Sequence, residues 1–133
     1  MAEYADKYNS RLILVNRRGY PGSDPFTDEE RNLLFSKGKP YDVVNANMQI
    51  WMSHRAVEIY DFLSLLIQNE NIPPYDPSTH TGGISLSGWS LGCGFLTGFL
   101  ANTDKFPRGP KEEVNVKRYL RRLILYGICV SLK

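Results

Sequence analysis

The sequence predicts an α/β protein with a mainly parallel sheet. Three observations carry this: short β-like runs at Arg11–Val15, Ile84–Trp89 and from Arg122 onward; a long helical pattern between the first two; and a further helical stretch after the second. With 133 residues, 42% hydrophobic and 23% charged, the chain fits one globular domain, taken as residues 1–133.

"RLILV", Arg11–Val15, has the length and leucine/β-branched content of a strand and follows a short helical opening, Ala2–Tyr8. It stops at "NRRGYPGSDP", a loop rich in turn formers. Thr27 then stands three residues before Glu30, the spacing of a capping box, and predicts a short helix to about Phe35.

After "SKGKPYD", Val44, Met48, Met52, Ala56, Ile59, Leu63 and Leu66 recur at three- and four-residue spacing, which predicts a long amphipathic helix. "NENIPPYDPSTHTGG" ends it, its prolines imposing an extended loop. "GISLSGWS" alternates apolar and polar residues as a strand does, and "LGCGFLTGFLAN" reads as a helix with close-packing glycines. A last amphipathic segment, Glu112–Leu120, leads into the β-like run "RLILYGICV".

Composition limits the functional classes. Sixteen basic and 14 acidic residues leave a formal charge of +2, so no strong field points to nucleic acid, and the cluster Lys117, Arg118, Arg121 and Arg122 reads as a solvated helix face. Cys93 and Cys129 form neither a disulfide framework nor a metal-ligand spacing, and no cofactor or metal is expected. The N-terminus has no signal-like apolar core, which makes a cytoplasmic location the default expectation.

The 18 residues from Ile84 to Ala101 carry no charge and include Gly88/Gly92 and Gly94/Gly98 pairs, the pattern of a membrane helix-dimer face. Only ten of them are hydrophobic or Cys, with four glycines and four Ser or Thr, so composition favours the non-membrane reading.

The chemical signal is Gly88-Trp89-Ser90-Leu91-Gly92, a Gly-x-Ser-x-Gly spacing where a strand turns into a helix. A nucleophilic serine must stand clear of its backbone; a sharp, strained turn achieves this and crowds the positions two before and two after, which gives both glycines a steric reason. The Leu91 N–H, opening the helix, is one oxyanion donor.

On these residues the chain resembles the α/β-hydrolase superfamily, in particular short serine-hydrolase-like proteins of fungi. "LILVNRRGYPGS" is similar to the family's fourth strand and following loop, and "GISLSGWSLGCGF" to its fifth strand, nucleophile elbow and third helix. The resemblance makes Tyr41–Gln68 the second helix and Arg122–Tyr126 the sixth strand, in a partial three-layer fold. It implies Ser90 as nucleophile toward a small ester or other acyl substrate, Leu91 N–H in the oxyanion hole, and Arg17 and Tyr20 as pocket residues.

Against the family pattern, the second oxyanion loop and the central third strand have no counterpart upstream, and the acid and histidine none downstream. Gly127 stands where the family often has Asp, and the chain reads as truncated at both ends. His54 lies within the long helix. His80 is separated from Ser90 by a strand length of roughly 25 to 30 Å, and Asp76, close in sequence and placed to orient His80, is removed from the serine by the same distance. Asp24 and Asp28, nearer the active edge, have no histidine to serve.

The expectations are therefore a serine-hydrolase ancestor with little turnover by this chain alone, self-association through open sheet edges, and, as the alternative, a non-catalytic binding remnant.

Overall fold

A computed structural model describes residues 5, 7–35, 37–106 and 114–127. Three α-helices and two strands follow in the order α1 (Asp28–Leu34), α2 (Tyr41–Asn69), β1 (Ile84–Trp89), α3 (Leu91–Ala101) and β2 (Leu120–Tyr126), with 3₁₀ turns at Thr103–Lys105 and Val116–Arg118.

Helix α1 starts as its sequence requires. The Thr27 hydroxyl accepts from the Glu30 amide at 3.2 Å, and the Glu30 carboxylate accepts from the Thr27 amide at 2.9 Å. Helix α2 runs one residue beyond its predicted end. Its buried stripe is Trp51, Arg55, Ala56, Leu63 and Ile67, rotated from the predicted one: Met48, on the predicted face, is 40% exposed. Toward the start of α2, Tyr41, Val43 and Ile50 are exposed as well.

The strands pair in parallel, with Leu86 opposite Leu123 and Gly88 opposite Leu125, and α3 is the crossover between them. Burial alternates along β1: Ile84 and Leu86 pack on the core with Leu120 from β2, while Ser85, Ser87 and Trp89 are exposed. The core beneath this face gathers Ala56, Leu63 and Ile67 from α2, Phe99 from α3, and Phe106, Val114 and Val116 from the connection to β2. Phe106 stacks on Tyr60 at 4.8 Å and meets Phe99 at 5.0 Å between ring centroids.

The α/β class with a parallel sheet and flanking helices is thus observed, and three sequence expectations need correction. First, Arg11–Val15 is not a strand: it belongs to no ladder, and Leu12, Leu14 and Val15 are at least half exposed. A strand exists only through a partner's hydrogen bonds, and none of the described residues supplies them. Second, in place of three layers the described residues form two, with helices on one sheet face; Ile124 and Tyr126 stand on the uncovered one. Third, within Glu112–Leu120 the helical part is a single 3₁₀ turn, and Leu120 already belongs to β2; residues 112 and 113 lie outside the described residues.

Of the predicted opening helix, Ala5 and Lys7 are helical and Tyr8 is in a turn; residues 2–4 and 6 lie outside the described residues, as do Cys129 and the rest of the run after Gly127. Among the described residues no helix is long and apolar enough to cross a membrane.

Candidate functional site

Ser90 is the single residue between β1 and α3, and its backbone sits at φ 50°, ψ −119°. For a residue with a Cβ this is a sparsely populated conformation, costing on the order of 1–3 kcal/mol, that persists only where its surroundings hold it. Two backbone bonds do so: the Ser90 amide donates to Tyr126 O of β2 at 3.1 Å, and the Ser90 carbonyl accepts from the Cys93 amide at 2.9 Å. The chain is clamped to the sheet on one side and drawn into the first helical turn on the other.

Gly88 makes the turn sterically possible. A Cβ there would lie 2.8 Å from the carbonyl carbon and oxygen of Gly92, backbone atoms that cannot step aside. The steric reason anticipated for Gly92 is not found, since a Cβ at that position meets nothing within 4 Å. The crowding is one-sided because the Gly92 carbonyl points at the strand while its own Cα faces away. Cys93, buried, seals the turn from below, its thiol 3.1 Å from Gly88 O and 3.4 Å from Tyr126 O. Gly127 (φ 68°) closes the other flank, where a Cβ would strike the Trp89 indole at 2.6 Å.

The result is an exposed hydroxyl at a rigid corner, with no side-chain hydrogen bond at the helix start. The amides of Leu91 and Gly92 open α3 and, being in its first turn, lack acceptors within the helix. No acidic side chain stands in that turn to take them, so they face the space beside Ser90 with the positive end of an 11-residue helix. Trp89 and Leu91, 70% and 63% exposed, flank the hydroxyl with apolar surface.

The proton-handling groups are elsewhere. His80 sits in the turn before β1, at the opposite end of the strand from Ser90, with Nδ1 3.3 Å from the Tyr75 hydroxyl. Asp76 does not orient it: its carboxylate accepts from the Ser78 hydroxyl and amide and from the Thr79 hydroxyl at 2.7–2.9 Å, and these bonds hold its pKa down at about 2. His54 is exposed on α2. Asp28 pairs loosely with Arg31 at 3.7 Å, and Asp24 contributes its carbonyl to the Gly19 amide. Among the described residues no hydrogen bond joins a histidine to Ser90, and no three His, Cys, Asp or Glu side chains gather as a metal site.

Of the two anticipated pocket residues, Arg17 comes close to the Ser90 helix. Its guanidinium lies 4.3 Å over the Phe95 ring, one turn along α3 from Leu91, and donates to the Tyr20 hydroxyl at 2.9 Å. Tyr20 lines a shallow cleft of 430 Å³ with Phe26 and Arg31, and Ser90 is not part of its wall. The pocket residues and the serine therefore occupy neighbouring but separate surfaces.

Sequence reasoning missed the most heavily bonded cluster in the molecule. Arg18 bridges Glu30 at 2.8 Å and Glu58 at 2.5 Å; Arg55 pairs with the same Glu30 and with Glu58 at 2.9 Å. Arg55 is 5% exposed, its guanidinium 4.9 Å from the Phe26 ring and 5.2 Å from Trp51. Among the described residues its Nε and Nη1 have no hydrogen-bond acceptor, and the guanidinium lies beside the two electron-rich rings. Burial alone would raise the Glu30 pKa, but the Thr27 amide and the Arg55 and Arg18 guanidiniums overcome it and hold the carboxyl at about 2. The only local signal was the capping box, which located Glu30 but not its cations 12 and 25 residues away.

Compared with known proteins, the chain matches no family model, no curated protein and no solved structure.

Proposed function

We propose that the chain carries the nucleophile corner of a serine hydrolase of the α/β-hydrolase type, with Ser90 directed at the carbonyl carbon of a small ester or other acyl substrate. The observation that carries this reading is the backbone of Ser90, at φ 50° and ψ −119° between a parallel strand and a helix. Nothing in the packing of a plain strand-to-helix connection needs a strained serine with a free hydroxyl. In the reaction Oγ bonds to the carbonyl carbon, the alcohol departs with the ester C–O electron pair, and the Oγ proton passes to a base. The Leu91 amide, with that of Gly92 beside it, stabilises the oxyanion.

Because no base stands at Ser90 among the described residues, the proton must pass to solvent, and turnover by the chain alone is expected to be slight. The test is incubation with p-nitrophenyl acetate followed by peptide mass spectrometry. Slow acetylation confined to Ser90, absent in Ser90→Ala, is the expected result, with no sustained release of nitrophenol. Acetylation spread over lysines and tyrosines alike in both proteins would reject Ser90 as nucleophile; multiple Ser90-dependent turnovers would reject the inactivity.

A further inference from the structure

Among the described residues, strand β1 has a ladder on one side only. The amides of Ile84 and Ser90 donate to the carbonyls of Tyr119, just before β2, and Tyr126, its last residue, which sets the alternation: the backbone groups of Ser85, Ser87 and Trp89 point to the opposite, open edge. Among the described residues no backbone hydrogen bond reaches them. Protein edges are ordinarily blunted by charges, prolines or bulges near the open groups. Ile84–Trp89 has no charge and no proline, and the exposed side chains along it are two serines and Trp89.

Residues 12–15 show the complementary deficit. Leu12, Ile13, Leu14 and Val15 are uncharged, strand-forming and 50%, 41%, 85% and 54% exposed. The segment is held at both ends, by the Arg11–Glu70 ion pair at the end of α2 and by Arg17 on Phe95, while its middle makes no backbone hydrogen bond among the described residues. One chain thus presents an unpaired strand edge and an unpaired strand-like segment that do not satisfy each other.

We propose that two copies of the chain form a two-fold dimer in which residues 12–15 of each copy add as a strand to the open edge of β1 in the other. The exchange is isologous: each copy donates one segment and accepts one, so the assembly closes at two and leaves neither β1 edge open. The occupant that the edge requires, a short uncharged strand rich in leucine and β-branched residues, is what the chain itself displays. The exposed parts of Leu12–Val15 and Trp89 amount to on the order of 500 Å² per copy, about 1,000 Å² for the pair, the size at which a specific interface begins. The proposal is independent of any chemistry at Ser90.

The test uses the full 133-residue chain. Sedimentation velocity over a wide concentration range is expected to show a dimer, and hydrogen exchange to show protected Ser85, Ser87, Ile13 and Val15 amides. Leu14→Lys, at a side chain that packs on almost nothing in the monomer, and Ser87→Pro, which removes an amide aimed at the open edge, each shift the population to monomer with unchanged far-UV circular dichroism. Leu65→Lys, at a side chain 59% exposed on α2, leaves the dimer intact. A monomer at all concentrations, a dimer insensitive to Leu14→Lys, or open-ended oligomers would overturn the proposal. Should a variant fail to fold, the wild-type exchange data decide: unprotected Ser85, Ser87 and Val15 amides overturn it alone.

Discussion

The seam between α1 and α2 and the corner at Ser90 treat polar groups in opposite ways. In the seam, two carboxylates and two guanidiniums are drawn from three separate stretches of chain and bonded to one another under aromatic rings. At the corner, one hydroxyl is held out on a strained backbone and makes no side-chain bond to the helix start among the described residues. The seam uses charge to join elements, and removing any member leaves each of its partners with one counter-charge instead of two. The corner concentrates steric and backbone constraint to present one atom, and removing the Cβ that carries it releases constraint. Polar groups that join elements and a polar group held apart from them are thereby distinguishable without reference to any relative.

The contrast is broken most severely by Glu30→Ala. It strips Arg55 of its closest carboxylate while the guanidinium remains buried, and is expected to cost about 3–5 kcal/mol in urea unfolding, enough to unfold a marginal domain. Acid does the same more gently. The Glu30 pKa is depressed from 4.5 to about 2, so its contribution is fully present above about pH 4.5 and is lost as the pH falls from there toward about 2. The urea midpoint should stay level from neutral pH down to that threshold and then fall, and Glu30→Gln should flatten part of the fall; Asp76, depressed in the same direction, retains the remainder.

On the other side of the comparison, Gly88→Ala forces a Cβ to 2.8 Å from backbone atoms and is expected to destabilise by about 1–3 kcal/mol while leaving the seam untouched, which the Glu30 pH dependence would report. The smallest effect has the opposite sign. Ser90→Gly relieves the positive-φ strain and should stabilise by about 1 kcal/mol, net of the entropy glycine adds to the unfolded chain, while abolishing acetylation at that position. Loss of stability in Ser90→Gly would show that the corner is a packing feature and not a strained presentation of a nucleophile.

How much was legible follows the range of the interactions. The Thr27–Glu30 box spans three residues, and it was read and found. The periodic segment Val44–Leu66 located α2, and the bounds implied by the resemblance, Tyr41–Gln68, fall within one residue of it, but its buried stripe was not read, since only the neighbours choose the face. Gly88 was correctly given a steric role, and Gly92 was not, because the motif treats as symmetric what the turn makes one-sided. Arg11–Val15 has every local mark of a strand and forms none, for want of a partner.

The sequence by itself determined the elements whose causes lie within a turn or two of chain: the capped start of α1, the length of α2, the strand-to-helix corner and the small residue it demands at Gly88. Tertiary structure alone decided which charges meet, which face of α2 is buried, which β-like runs become strands, and that neither histidine bonds to Ser90. These outcomes rest on contacts between residues distant in sequence, such as Arg18 with Glu58 or Gly88 with Leu125. Periodicity records that a residue seeks a partner; only the assembled fold supplies one.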